Sequence, residues 1–133
     1  MIALLDTNTC IHLLNHSSPA VRRQFEARSP SDIALCSVVR AELLYGAQRS
    51  SRVDANLQRL KQFFSPLHCF PFDDRCAEHY ALIRADLASQ SRPIDPNDLM
   101  IAATARANNA ILVTNNSGEF SRVAGLRLED WTM

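Results

Sequence analysis

The sequence has no excess of either charge, since 14 lysines and arginines balance 14 aspartates and glutamates. No global basic field therefore draws it to nucleic acid, and a polyanion would have to meet a local patch. Lysine is almost missing. Lys61 stands alone, so arginine, whose planar fork suits phosphate and carboxylate, supplies the remaining cations. No apolar run approaches the roughly 20 residues of a membrane-spanning helix. No basic leader with an apolar stretch behind it opens the sequence, so the chain is expected to be unexported, cytoplasmic and free of membrane. Cys10, Cys36, Cys69 and Cys76 form no CxxC pair and no disulfide framework. His12, His16, His68 and His79 form no HExxH, and no Cys/His zinc pattern occurs. These eight residues read as core or surface positions in a reducing compartment. With no repeat, low-complexity tract or linker, residues 1–133 are expected to form one domain.

Hydrophobic residues make up 47%, the share of a globular chain rather than a disordered one. Ile2-Ala3-Leu4-Leu5 is short and does not alternate with polar residues, the pattern of a strand buried on both faces. Ile33–Cys36, Leu67–Phe72 (interrupted at Pro71), Ile111–Val113 and Leu126–Leu128 are further strand candidates. Helical spacing fills the intervals: Thr7–Asn15, a segment opened by Ser18-Pro19, Val38–Ser50 after Ser37 as N-cap, Val53–Phe64, Asp74–Ser89 after Asp73, and a helix opened by Asp95-Pro96. Alternating strands and helices predict an α/β fold with a central parallel sheet of four to five short strands. Helices on both faces make it a three-layer α/β/α domain joined by right-handed crossovers.

The first apolar run ends abruptly at Asp6-Thr7-Asn8. A carboxylate directly after a buried parallel strand stands at the carboxyl edge of the sheet, where α/β folds place their ligands. The same residues also suit an N-cap, so both roles are open to Asp6. Glu42 lies three or four residues from Val38, Val39 and Tyr45 and shares their side of its helix. A carboxylate there calls for a cation, either Arg40 or Arg49 in an ion pair or a metal. Asp95 is an expected N-cap, and Asp98 is favoured in the first helical turn. Yet Asp98 shares its face with Ile101, Ala102 and Ala105, which turns it inward. Behind Ile111–Val113 come Thr114, Asn116 and Glu119, again polar residues at a strand end. In a parallel sheet Asp6, Glu42 and Asn116 converge on one rim, and Asp98 joins them from a helix N-terminus. Carboxylates held together in a partly desolvated cleft repel one another. A divalent cation relieves this, and all-oxygen ligation suits Mg²⁺, with Mn²⁺ as a substitute, rather than zinc. The chemistry expected of such a site is phosphodiester hydrolysis, with Asn8, Thr114 and Asn116 as hydrogen-bonding supports.

Taken together, LLDTN (4–8), S-x-x-x-x-E-L-x-x-G (Ser37 to Gly46), PNDLMIAATA (96–105) and LVTNN-x-x-EF (112–120) resemble the motifs of the PIN-domain ribonucleases. More narrowly, the chain is similar to the VapC toxins of bacterial VapBC toxin–antitoxin pairs, down to the tail VAGLRLEDW (123–131). The resemblance implies acidic ligands at Asp6, Glu42 and Asp98. Asp6 and Asp98 would ligate Mg²⁺ directly, and Glu42 would bind through water or act on the nucleophile. The family's fourth acidic position falls on Asn116, which cannot ionise, so Glu119 is left to supply the charge. Asp95 stands where related toxins often have glycine. The implied activity is an endoribonuclease that blocks translation, with tRNA as the RNA and the anticodon loop of initiator tRNA as the target. Arg22, Arg23, Arg75, Arg84 and Arg92 are the candidate RNA contacts. A homodimer and a cognate VapB-type antitoxin are implied as well, with operator DNA reached only through the antitoxin. The first helices and the stripe from Leu57 to Phe64 are candidate surfaces for these partners; packing into the chain's own core is the other reading of that stripe. The alternative function is a PIN-like binding or regulatory subunit that no longer cuts. Asn116 favours it, and Asp6, Glu42 and Asp98 oppose it. A domain phosphorylated on Asp6 is disfavoured, because Asn8 stands where a dehalogenase-like enzyme needs aspartate.

Overall fold

The computed structural model describes residues 1–133. Its strands β1 (Ala3–Leu5), β2 (Ile33–Cys36), β3 (His68–Phe70), β4 (Ile111–Val113) and β5 (Arg127–Glu129) form one parallel sheet in the order β3-β2-β1-β4-β5. Leu4 is in register with Ala34 on one side and Leu112 on the other. Leu4 and Leu5 are both fully buried, which requires cover on both faces and explains the unalternating run. The helices are α1 (Thr7–Leu14), α2 (Pro19–Glu26), α3 (Ser37–Gln48), α4 (Val53–Phe64), α5 (Asp74–Ser89), α6 (Pro96–Ala107) and the single turn α7 (Ser117–Phe120). From β1 to β3 the chain steps one way across the sheet, then returns past β1 to β4. Right-handed crossovers therefore put α1 to α4 on one face and α5 with α6 on the other. The packing agrees: α1 meets α2 and α3, α3 meets α4, and α5 lies along α6. The expected three-layer α/β/α architecture is the one observed.

The reversal of strand order falls between β1 and β4, the place where such folds open a crevice. Here it is tied closely. The Asp6 N–H donates to the Val113 carbonyl at 3.0 Å, and the Thr9 hydroxyl donates to the same carbonyl at 3.2 Å. α3 also packs against α6, so the two helices that carry Glu42 and Asp98 meet across the rim. α6 is buried nearly all round from Leu99 to Ala105, and its run of alanines lets it lie close to the sheet.

The predicted caps form at Ser18, Asp73 and Asp95, each accepting from a backbone N–H of the following turn. Ser37 is not a cap. Cys36 holds that position without a side-chain acceptor, and Ser37 is already helical. β3 ends at Phe70, where the interruption at Pro71 places its end, because Pro71 has no N–H for the ladder. The α4 stripe packs into the chain's own core: Leu60 and Phe64 are buried, and Phe63 stacks on Phe25 of α2 at 6.3 Å between ring centres.

Candidate active site

β1 delivers Asp6 to the carboxyl edge of the sheet. Its Oδ1 accepts from the Thr9 N–H at 2.8 Å and so starts α1, which leaves Oδ2 uncommitted. One conformation thus serves both roles open to this residue, since the cap holds the carboxylate in place. Glu42 enters from α3, where its Oε1 accepts from the Thr7 hydroxyl at 2.8 Å. Of the two readings open to Glu42, the ion pair with Arg40 or Arg49 does not form. Arg40 lies two residues away on the far side of the helix, with its guanidinium 4.6 Å from the centre of the Phe64 ring. Arg49 is two turns along, 5.4 Å from the centre of the Tyr45 ring.

Asp98, in the first turn of α6, is half-buried, and its carboxyl is pushed up to about 7. Burial is the largest cause, followed by the charges of Glu119, Asp95, Glu42 and Asp6. Glu119 is clamped: its Oε2 accepts from the Asn116 side-chain amide at 2.8 Å, and its Oε1 accepts from the Asp95 N–H at 2.9 Å. Asn116 is held in turn by its N–H, which donates to the Thr114 hydroxyl at 2.9 Å. Thr114 is buried, and its own N–H donates to the Glu129 carbonyl at 2.9 Å. β4 therefore positions Glu119 through two polar relays. Asn8 is exposed on α1, and its side chain makes no hydrogen bond within the chain. Thr7 beside it is the residue of this stretch that bonds Glu42. The motif placed a hydroxyl beside Asp6, but only the packing of α1 on α3 shows that it reaches Glu42.

None of these carboxylates is in an ion pair within the chain. The chain's ion pairs, Arg22–Glu26 and Arg28–Glu129, lie elsewhere. No three Asp, Glu, His or Cys side chains are gathered into a ready ligating set, and Asp6, Glu42 and Glu119 each rest on a protein donor. The donor chemistry still fits a hard divalent ion. It consists of carboxylate oxygens, and the half-buried Asp98 carboxyl is pushed towards its neutral form by burial first and then by four like charges. The cysteines offer nothing comparable. Burial holds the Cys10 thiol well above its ordinary value and pushes Cys36 up to about 11, so both are inert core residues. Of the candidate arginines, Arg22 is bound to Glu26 and the Leu13 carbonyl, Arg75 to the Ala107 carbonyl and Arg84 to the Tyr80 hydroxyl. Arg23 and Arg92 are exposed.

The PIN domain family matches residues 3–126. The chain belongs to the PIN-domain family. It falls within that family's VapC ribonucleases. A "tRNA(fMet)-specific endonuclease VapC" of Shigella flexneri is 42% identical over 129 residues, covering 97% of each chain. "Ribonuclease VapC2" of Rickettsia felis is 39% identical, covering 98% of each. Among solved structures, VapBC2 from Rickettsia felis bound to a promoter DNA fragment superposes with a TM-score of 0.92 at 38% identity, over 98% of this chain and 99% of that one. The PIN chain has no helix long and apolar enough to cross a membrane.

Proposed function

We propose that the chain is the toxin of a VapBC-type pair and cuts initiator tRNA in the anticodon loop with the help of Mg²⁺, in the cytoplasm. The observation that carries this is the approach of Asp6, Glu42 and Glu119 to the half-buried Asp98, near enough to act on its charge, at the β1/β4 edge of a VapC ribonuclease. The substrate is taken from relatives named as tRNA(fMet)-specific endonucleases at 42% and 38% identity. Asp6 and Asp98 are the residues to hold the ion, with Glu42 acting through water. When bound, such an ion neutralises the phosphodiester and acidifies an attacking water. The chain's own groups do the rest. Thr7 fixes Glu42, Asp95 and Asn116 fix Glu119, and the sheet edge fixes Asp6. Asn116 serves as an anchor for Glu119, not as a ligand. A VapB-type antitoxin as partner and carrier of operator DNA contacts is supported by the likeness to VapBC2 on its promoter fragment. We further propose that the whole chain is one PIN domain and acts as a homodimer.

The test is cleavage of a total tRNA pool by purified, antitoxin-free protein, with Mg²⁺ or EDTA, beside Asp6→Ala. One discrete cut in initiator tRNA, absent with EDTA and in the mutant, is the expected result. A discrete cut in another RNA would overturn the substrate, and folded protein that cuts nothing would favour the non-cutting subunit.

A further inference from the structure

An acidic rim repels RNA, so something beside it must hold the strand in place. We propose that Tyr45 is a stacking platform for an unpaired RNA base next to the scissile phosphate, backed by the Arg49 guanidinium; this rests on the ribonuclease reading of the site. Tyr45 follows Glu42 by three residues on α3 and lies on the same side of that helix. The helix turns Val39, Leu43 and Ala47 to the core, yet it leaves Tyr45 63% exposed. Tyr45 and Glu42 line one cavity of about 370 Å³ together with Ser37, Asn97 and Met100. Glu42 is one of the rim carboxylates, so the cavity shares a wall with the acidic rim.

The lining has the chemistry of a nucleobase site. An aromatic face offers stacking, a thioether offers soft contact, and the Asn97 amide and Ser37 hydroxyl can reach a base edge. The Ser37 hydroxyl and the Asn97 side-chain amide make no hydrogen bond within the chain and are free for a base edge. Unpaired bases of RNA are commonly held by stacking on aromatic rings and arginine planes, with hydrogen bonds to their edges. Arg49, 5.4 Å from the ring centre, adds a positive charge where the flanking phosphates must pass the carboxylates.

The experiment uses the full chain without divalent ions and an initiator-tRNA transcript as probe. Tyr45→Trp puts a fluorescent ring at the position, against a background of Trp131 alone, which is buried. The expected result is saturable quenching of the new emission as the transcript is added. Tyr45→Ala should weaken transcript binding, and raise KM with Mg²⁺ present, by about tenfold to a hundredfold with kcat little changed. Tyr45→Phe should bind as the unmodified protein does. Unquenched emission with full-strength binding by Tyr45→Ala would overturn the proposal. So would conversion of a dimer to a monomer by Tyr45→Ala without quenching in Tyr45→Trp, which would give the face to a second copy. Quenching and lost affinity in a protein that leaves the transcript uncut would uphold stacking and refute the substrate reading instead.

Discussion

Replacing Asp98 with asparagine isolates the electrostatic cost of the site. The Asp98 carboxyl is raised from 3.8 to about 7 by burial and by four acidic neighbours, so the folded chain binds its proton more tightly than the unfolded chain does. An acid whose folded value is raised costs nothing below about pH 4, costs progressively more as pH rises towards 7, and costs a constant amount above that. Converted without screening, the displacement is worth roughly 4 kcal/mol. Asp98 is only half-buried, and solvent screening brings this down to about 1–2 kcal/mol. Loss of a favourable charge in the first turn of α6 takes back about 0.3–1 kcal/mol. Asp98→Asn is therefore expected to stabilise the protein by about 1 kcal/mol at pH 8, or about 4 °C in melting temperature for a chain of this size. At pH 4.5, just above the unfolded value of 3.8, the gain should be smaller. The assay is thermal unfolding in EDTA at both pH values. Adding Mg²⁺ should reverse the order at pH 8, because an ion that binds only the folded state raises stability through its occupancy. An Asp98→Asn protein that melts no higher at pH 8 than its parent, or gains as much at pH 4.5, would refute the cluster. Cleavage should be lost in the same variant.

Thr7→Val keeps the shape of the side chain but removes the hydroxyl that holds Glu42 at 2.8 Å. Cleavage should fall by about tenfold to a hundredfold, as for other groups that orient a ligating side chain, and unchanged kcat/KM would show that Glu42 needs no such hold. His16 follows the end of α1 with φ at 52°, in the left-handed region that favours glycine just past a helix. His16→Gly should raise stability by about 0.5–1 kcal/mol in urea unfolding, and a loss would mean that the exposed imidazole contributes more than the backbone strain it causes.

Much of this molecule was legible from the sequence because its signals are local. The unalternating runs at Ala3–Leu5 and Ile33–Cys36 announced buried parallel strands, and Ser18, Asp73 and Asp95 announced helix starts, since a cap and its N–H partner lie within one turn. Asp6, Glu42 and Asp98 could be named as candidates because each stands at a strand end or at fixed spacing on a helix. What was not legible depends on packing. Whether Glu42 meets an arginine, a metal or a hydroxyl is decided by the approach of α1 to α3, 35 residues apart in the chain. That Asn8 faces solvent while its neighbour Thr7 faces the site follows from the phase of α1, which the Asp6 cap sets. Tyr45 was read as sharing a face with Glu42, but its exposure follows from α6 passing along one flank of α3 and α4 along the other.

The same distinction explains Asn116. Read alone, an amide at a position that many PIN domains fill with aspartate looks like a weakened site. In the fold the amide donates to Glu119 Oε2 while the Asp95 N–H donates to Oε1, so both oxygens of that carboxylate are tied down. An aspartate at 116 would have no N–H to give. It would set a like charge against Glu119, beside an Asp98 carboxyl that already stands near 7. Asn116 brings no charge of its own, and the negative charge at this end of the rim is carried by Glu119, in the turn of α7. Asn116 supplies the donor that fixes it there. Asp95 adds a further acid to the same rim, and its backbone N–H offsets part of that cost by binding Glu119. The pieces are interdependent: the acid at 119, the amide at 116 and the N–H of 95 form one clamp, so reading 116 alone misstates the charge of the site.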